Sequence, residues 1–183
     1  FEKGTFRIAF ADKNEFYCKA VAEPLERGFG LTLGNALRRV LLASLPGTSV
    51  YAIEVEGAVH EFTALPGVEE DLTQIILNLK DLVLKSDTIG EADYTVSINK
   101  GPGEFKAGDL ELPTGLEVVN KELVIAHIAE GGHLNITLHI RNGRGYATSA
   151  ENKTLGLGAN WIATDSNYSP VVRVNYKVEQ TRV

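Results

Sequence analysis

The chain has no methionine, one cysteine and one tryptophan among its 183 residues. A single cysteine, Cys18, excludes an internal disulfide framework and fits a reducing compartment. No histidine partners it in sequence, so it is expected to sit half-buried in a strand. Lacking even an initiator methionine, the chain is read as a fragment or processed form. Long apolar runs are missing too. None approaches the roughly 18 residues that a membrane span requires, and no basic start leads into an apolar signal core. Positive charge is in deficit: 18 Lys and Arg face 24 Asp and Glu, a net charge of −6. A surface that neutralises DNA phosphates is normally basic, so this chain is not expected to grip duplex DNA by itself.

What is present is ordinary for a globular protein, with 44% hydrophobic and 23% charged residues. The length suits one generous domain or two small ones. Residues 1–14 are polar and mixed, without a clear period. "EFYCKAVA" (15–22) predicts a short strand. "LGNALRRVLLASL" (33–45) predicts a helix with Thr32 as N-cap and Pro46-Gly47 as its stop. Leu33, Leu37, Val40, Leu41 and Leu45 fall on one face of it, and Leu42 with Ala43 widens the apolar arc until the helix requires cover on two sides. "PGVEEDLTQIILNLK" (66–80) is the clearest helix, with Glu69, Glu70 and Asp71 favouring its first turn and Lys80 its last. Strands are predicted at 50–57, 82–85, 93–99, 123–129, 133–140 and 171–178. Most helix lies early and most strand late, which makes the fold class α+β.

The stretch "ERGFGLTLGNALRR" (26–39) holds Gly28, Gly30 and Gly34 as G-x-G-x-x-x-G, one residue away from the dinucleotide fingerprint. That fingerprint requires a buried strand before it and an acidic residue about 20 positions on. Here "AEPLER" precedes it, charged and broken by Pro24, and no Lys-Ser or Lys-Thr completes a P-loop. A tight turn with close backbone packing explains the glycines better than a phosphate cradle. His133 and His139 sit six apart on a presumed strand, sharing its polar face with Asn135 and Thr137, and read as solvated. No spacing completes a metal site, and no paired carboxylates or clustered aspartates offer catalysis. The expectation is therefore a chain without catalytic residues, cofactor or metal. Arg38 and Arg39 diverge by 100° on an apolar helix. They are either two surface arginines snorkelling over apolar neighbours, or at least one meets a partner's carboxylates or carbonyls.

At this point "EPLERGFGLTLGNALRRVLLASLPG" (23–47) resembles the signature region of the bacterial RNA polymerase alpha subunit family. "VEGAVHEFTALPGVEEDLTQIILNLK" (55–80), "GRGY" (143–146), "DSNYSPV" (165–171) and "VNYKVEQTRV" (174–183) continue the resemblance in order. It implies an amino-terminal region that homodimerises and forms the platform on which the large beta and beta prime subunits assemble. It also implies a dimerisation subdomain, residues 1–46 plus about 170–183, with a mostly antiparallel β-rich subdomain inserted at about 47–169. Carried over by motif position, Arg38, Arg39 and Leu42 are beta contacts, and Lys80, Thr164 and Asp165 are beta-prime contacts. Leu33, Leu37, Val40, Leu41 and Leu45 belong to the dimer helix. The chain departs from the family by lacking a further strand and second dimer helix after "EQTRV", and by lacking the linker and DNA-binding domain. The resemblance thus implies a bacterial cytoplasmic subunit that meets DNA only through the assembled enzyme or that absent domain, and never a membrane. With the second helix missing, weak or irregular self-association is expected. The rival readings are a nucleotide-dependent enzyme using the Gly28–Gly34 stretch, and a free-standing binding module of the same fold.

Overall fold

The computed structural model describes residues 6–14, 17–171 and 173–180. The chain opens with an antiparallel hairpin, β1 (Arg7–Lys13) and β2 (Cys18–Glu23), followed by helix α1 (Phe29–Ala43). Then come β3 (Pro46–Val55), α2 (Leu72–Leu79), β4 (Leu84–Ser86), β5 (Asp93–Lys100) and β6 (Gly103–Lys106). After a short 3-10 turn at Ala107–Asp109 follow β7 (Leu116–Val118), β8 (Val124–Ile128) and β9 (Leu134–Arg144). The last elements are β10 (Tyr146–Ala147), α3 (Ser149–Lys153), β11 (Ile162–Ala163) and β12 (Ser166–Asn167). The pairing is antiparallel throughout, and the fold is α+β with a β-rich insert.

The centre is a four-stranded sheet in the order β11-β3-β9-β5. Alternation puts Ile136, Leu138 and Ile140 of β9 on one face, where they meet Ile53 and Val55 of β3 and Val96 of β5. Against that face pack Leu72, Ile75 and Leu79 of α2, together with Phe105, Ile125 and Leu116 from the flanking two-stranded pieces. Asp71 starts α2 as its N-cap, accepting from the Gln74 N–H at 2.8 Å. The acidic run 69–71 therefore lies before the helix rather than in its first turn.

Outside this core the structure departs from the sequence reading in several places. β1 forms where no period is visible, and all seven of its residues are exposed. α1 begins at Phe29, four residues early, with Gly28 as its N-cap in the left-handed region (φ 84°) that favours glycine. Thr32 is inside the helix and bonds back to the Gly28 carbonyl. Pro46 and Gly47 open β3, and Leu45 lies past the helix end. Gly30 and Gly34 are thus helical residues one turn apart, not a loop. They lie against Val178 and Tyr176, and a Cβ on Gly34 would come within 2.5 Å of the Tyr176 ring. The segment predicted as a strand at 171–178 forms none among its described residues, Val172 lying outside them. It is held on α1 instead, with the Tyr176 hydroxyl donating to Asn35 Oδ1 at 2.6 Å. Residues 15–16 of the predicted first strand are also outside the described residues, and Cys18 is exposed rather than half-buried.

His139 is the other correction. It is buried, not solvated: its ring stacks on Trp161 with centroids 3.5 Å apart, and its Nε2 shares a 2.7 Å hydrogen bond with Glu54. His133 precedes β9 and is exposed.

Candidate interaction surfaces

The first surface is α1. None of its residues is buried. Leu33, Leu41, Leu42 and the following Leu45 are half-buried, while Leu37 and Val40 are each 46% exposed. Ile8, Phe10 and Val21 of the hairpin are exposed, as are Phe29 and Leu31 of the helix. An apolar helix with no buried residue is the opposite of what burial energetics favour in an isolated chain. Arg38 and Arg39 are both exposed, and neither forms an ion pair among the described residues. The helix ends under control from the insert: Arg144 Nη1 donates to the Ser44 carbonyl at 2.7 Å, placing a cation where the helix carbonyls are unpaired.

The second surface is a cleft of about 160 Å³ floored by Val50, Ile76 and Leu79. It is built on a β-bulge between Val50 and Ala52. A bulge leaves backbone groups off the regular ladder. Here the Val50 carbonyl accepts from the Ser166 hydroxyl at 2.8 Å, and the Tyr51 carbonyl from the Thr164 N–H at 3.0 Å. Buried Asn152 of α3 completes the brace, donating to the Thr164 carbonyl at 2.6 Å and to Ser166 Oγ at 3.0 Å. Thr164 is consequently buried beneath the cleft, while Asp165 is turned to its rim.

At the rim, residues 85 positions apart meet. Lys80 Nζ donates to Asp165 Oδ2 at 3.1 Å. The Tyr146 hydroxyl donates to the same oxygen at 2.9 Å, and the Ser149 N–H to Oδ1 at 2.7 Å. The Ser149 hydrogen bond, followed by those from Lys80 and Tyr146, holds the Asp165 carboxyl below the usual range against the opposing effect of desolvation. The same bond to Asp165 raises the Tyr146 hydroxyl. All three predicted residues of this set, Lys80, Thr164 and Asp165, line one cleft. Tyr146, which sequence reading did not single out, joins them. Its signal was the quoted "GRGY", whose tyrosine begins β10 opposite Asn167.

A further constellation was also missed. Glu69, Glu70 and His127 bring ligand-type atoms within 4.8 Å of one another. Glu70 accepts from the His127 N–H at 2.7 Å and meets the ring Nδ1 at 3.0 Å, while Glu69 lies 3.7 Å from that nitrogen. The hydrogen bond with Glu70 raises His127 above the ordinary value of 6.5, against a lowering by desolvation. Glu70 is committed to the backbone and ring of one residue, so the group acts as a clasp joining the approach to α2 to β8. No local spacing announces it, because its partners are 57 positions apart.

In the described residues no helix is long and apolar enough to cross a membrane. Residues 53–169, which hold β5, β9, the clasp and the cleft residues Lys80, Thr164 and Asp165, match the family model described as the RNA polymerase Rpb3/RpoA insert domain. The chain is similar to the DNA-directed RNA polymerase subunit alpha of Mesoplasma florum, with 51% identity over 96% of this chain and 57% of that protein. It is likewise 50% identical to the protein of that name from Mycoplasma mycoides subsp. mycoides, over 94% of this chain and 55% of the relative. The one from Frankia casuarinae is 51% identical over 93% of this chain and 48% of its own length. The chain thus spans about half the length of the relatives it matches. With the family model covering most of its residues, the chain belongs to the RNA polymerase Rpb3/RpoA insert domain family.

Proposed function

We propose that this chain is a non-catalytic alpha subunit of a bacterial, cytoplasmic DNA-directed RNA polymerase, which homodimerises and carries the beta and beta prime subunits. The transferase chemistry belongs to the assembled enzyme, and this chain contributes position. Residues 1–46 with about 170–183 form the dimerisation and assembly layer, and about 47–169 the insert. Leu33, Leu37, Val40, Leu41 and Leu45 meet the second copy, Arg38, Arg39 and Leu42 meet beta, and the cleft of Lys80, Thr164 and Asp165 meets beta prime. The observation that carries this reading is α1 itself: an apolar helix without a buried residue, bearing two exposed arginines that form no ion pair among the described residues. Such a surface is complete only when something covers it. Two different large partners can use one chain because the protomers of a symmetric dimer present the same patch in opposite directions.

Co-expression of the chain with beta and beta prime, followed by affinity capture, tests the reading. Arg39→Ala removes a guanidinium that forms no ion pair among the described residues, so the melting temperature is expected to stay put. Capture of beta is expected to fall, since truncating one member of a desolvated charged contact costs about 2–5 kcal/mol. Undiminished beta in the Arg39→Ala complex would remove Arg39 from the interface.

A further inference from the structure

We propose that Asp165 is a positioning residue of the cleft rather than a contact, and that Lys80 with Tyr146 forms the face offered to a carboxylate-bearing segment of the large partner. The inference rests on the proposed beta-prime reading and assigns roles within it. The Asp165 carboxylate has both oxygens engaged: Oδ1 by the Ser149 N–H, Oδ2 by the Lys80 ammonium and the Tyr146 hydroxyl. Little is left of it for a partner, since a carboxylate offers about four acceptor sites and three are filled.

Lys80 is in the opposite state. An ammonium has three donors, and Asp165 takes one of them, with no other acceptor for it among the described residues. Its side chain is 41% exposed. Tyr146 donates its proton to Asp165, so its oxygen retains acceptor capacity, and the residue is 58% exposed at the cleft. Asp165 therefore fixes two groups that would otherwise wander, a long flexible amine and a rotatable hydroxyl. Held in this way, they present a fixed cationic donor and an acceptor above the apolar floor of Val50, Ile76 and Leu79. Charge complementarity selects the occupant: an extended segment that lays an apolar side chain into the cleft and aims an acidic one at Lys80.

The substitution Asp165→Asn separates positioning from folding. The asparagine oxygen still accepts from Ser149, whereas the NH2 group that replaces Oδ2 is a donor and accepts from neither Lys80 nor Tyr146. The chain is co-expressed with beta and beta prime, and the ratio of beta prime to beta in the captured complex is read for Lys80→Ala, Asp165→Asn, Tyr146→Phe and the double variant Lys80→Ala/Asp165→Asn. Both single charge variants are expected to lower the ratio roughly tenfold, Tyr146→Phe by less, with beta capture and melting temperature held. The double variant is expected to fall below Lys80→Ala by no more than the smaller Tyr146→Phe loss, because once Lys80 is gone Asp165 has only Tyr146 left to position. A normal ratio in Asp165→Asn, or losses that multiply in the double variant, overturns the positioning role while leaving the beta-prime reading intact. A normal ratio in Lys80→Ala overturns both.

Discussion

Tyr168 shows how much a single side chain decides here. It is buried, with its ring over Gly143 and its carbonyl beside Gly47, two glycines that face each other across β3 and β9. A Cβ on Gly143 would lie 2.8 Å from the ring, and one on Gly47 would overlap the Tyr168 carbonyl oxygen. The glycine pair is therefore a slot cut for this tyrosine. Its hydroxyl, though buried, has no hydrogen-bond partner among the described residues. An unpaired buried polar group carries a desolvation cost that its removal relieves. Tyr168→Phe is accordingly expected to leave the melting temperature unchanged or raised, whereas Tyr168→Ala empties the slot and costs about 3–5 kcal/mol. Urea denaturation of both variants checks this, and a marked loss in Tyr168→Phe would mean that the hydroxyl is satisfied after all.

His127 supplies the pH dependence at this scale. Its folded-state value is raised by the hydrogen bond with Glu70. A raised value means that the folded chain binds the proton more tightly than the unfolded one. The resulting stabilisation is fully present below the ordinary 6.5 and is lost as pH rises through the folded value. The ring is exposed, so the effect is small and screened by salt. Wild type is expected to exceed His127→Gln in melting temperature by more at about pH 6 than at about pH 9. An equal gap at both would show that the ring's charge is not part of the clasp.

Among elements, legibility tracked burial. The α2 helix and the strands β3, β5, β8 and β9 were readable because one face of each lies in the core, and burial imposes a period on sequence. β1 was not, because every position is exposed and nothing disciplines the pattern. The alternation of Val174, Tyr176 and Val178 suggests a strand, but none forms among the described residues there. Tyr176 and Val178 lie against Gly34 and Gly30 of α1 instead of a sheet neighbour. His139 sits on the polar side of β9 by period, and Trp161, arriving from a distant turn, is what buries it. The candidate cleft was legible in its Lys80 and Asp165 only through resemblance to a family, since no spacing rule joins residues 85 apart. The α1 contact also yields a prediction. Gly34→Val puts a branched side chain where the Tyr176 ring now lies, so the segment must lift and Tyr176 must release Asn35. Proteolysis within 173–180 is expected to accelerate in Gly34→Val while the insert's melting transition stays in place. Unchanged cleavage would show that the segment is held by something other than this groove.

At the scale of the whole molecule, exposed apolar surface is unevenly shared. The insert encloses its own core, drawn from Val50 to Ile162, without a residue of the hairpin or α1. The hairpin and α1 instead leave Phe10 65% and Leu31 58% exposed, with Leu37 and Val40 in the open as well. Fully burying a Leu or Val side chain is worth about 1.5–3 kcal/mol. In a twofold interface each such residue counts twice, because the same patch appears on both copies. Covering Leu37 and Val40 across a dimer axis would therefore contribute several of these increments, enough to offset part of the cost of association. The chain is expected to self-associate with rising concentration, and Leu37→Glu to shift it toward monomer by burying two like charges at one axis. Phe62 provides the control. It is 75% exposed, but it belongs to the loop before α2 and not to the hairpin or α1, so Phe62→Glu should leave self-association as it was. Sedimentation velocity over a concentration series on the three proteins decides the matter. If Leu37→Glu associates like wild type, or Phe62→Glu dissociates like Leu37→Glu, then α1 is not the surface on which two copies meet.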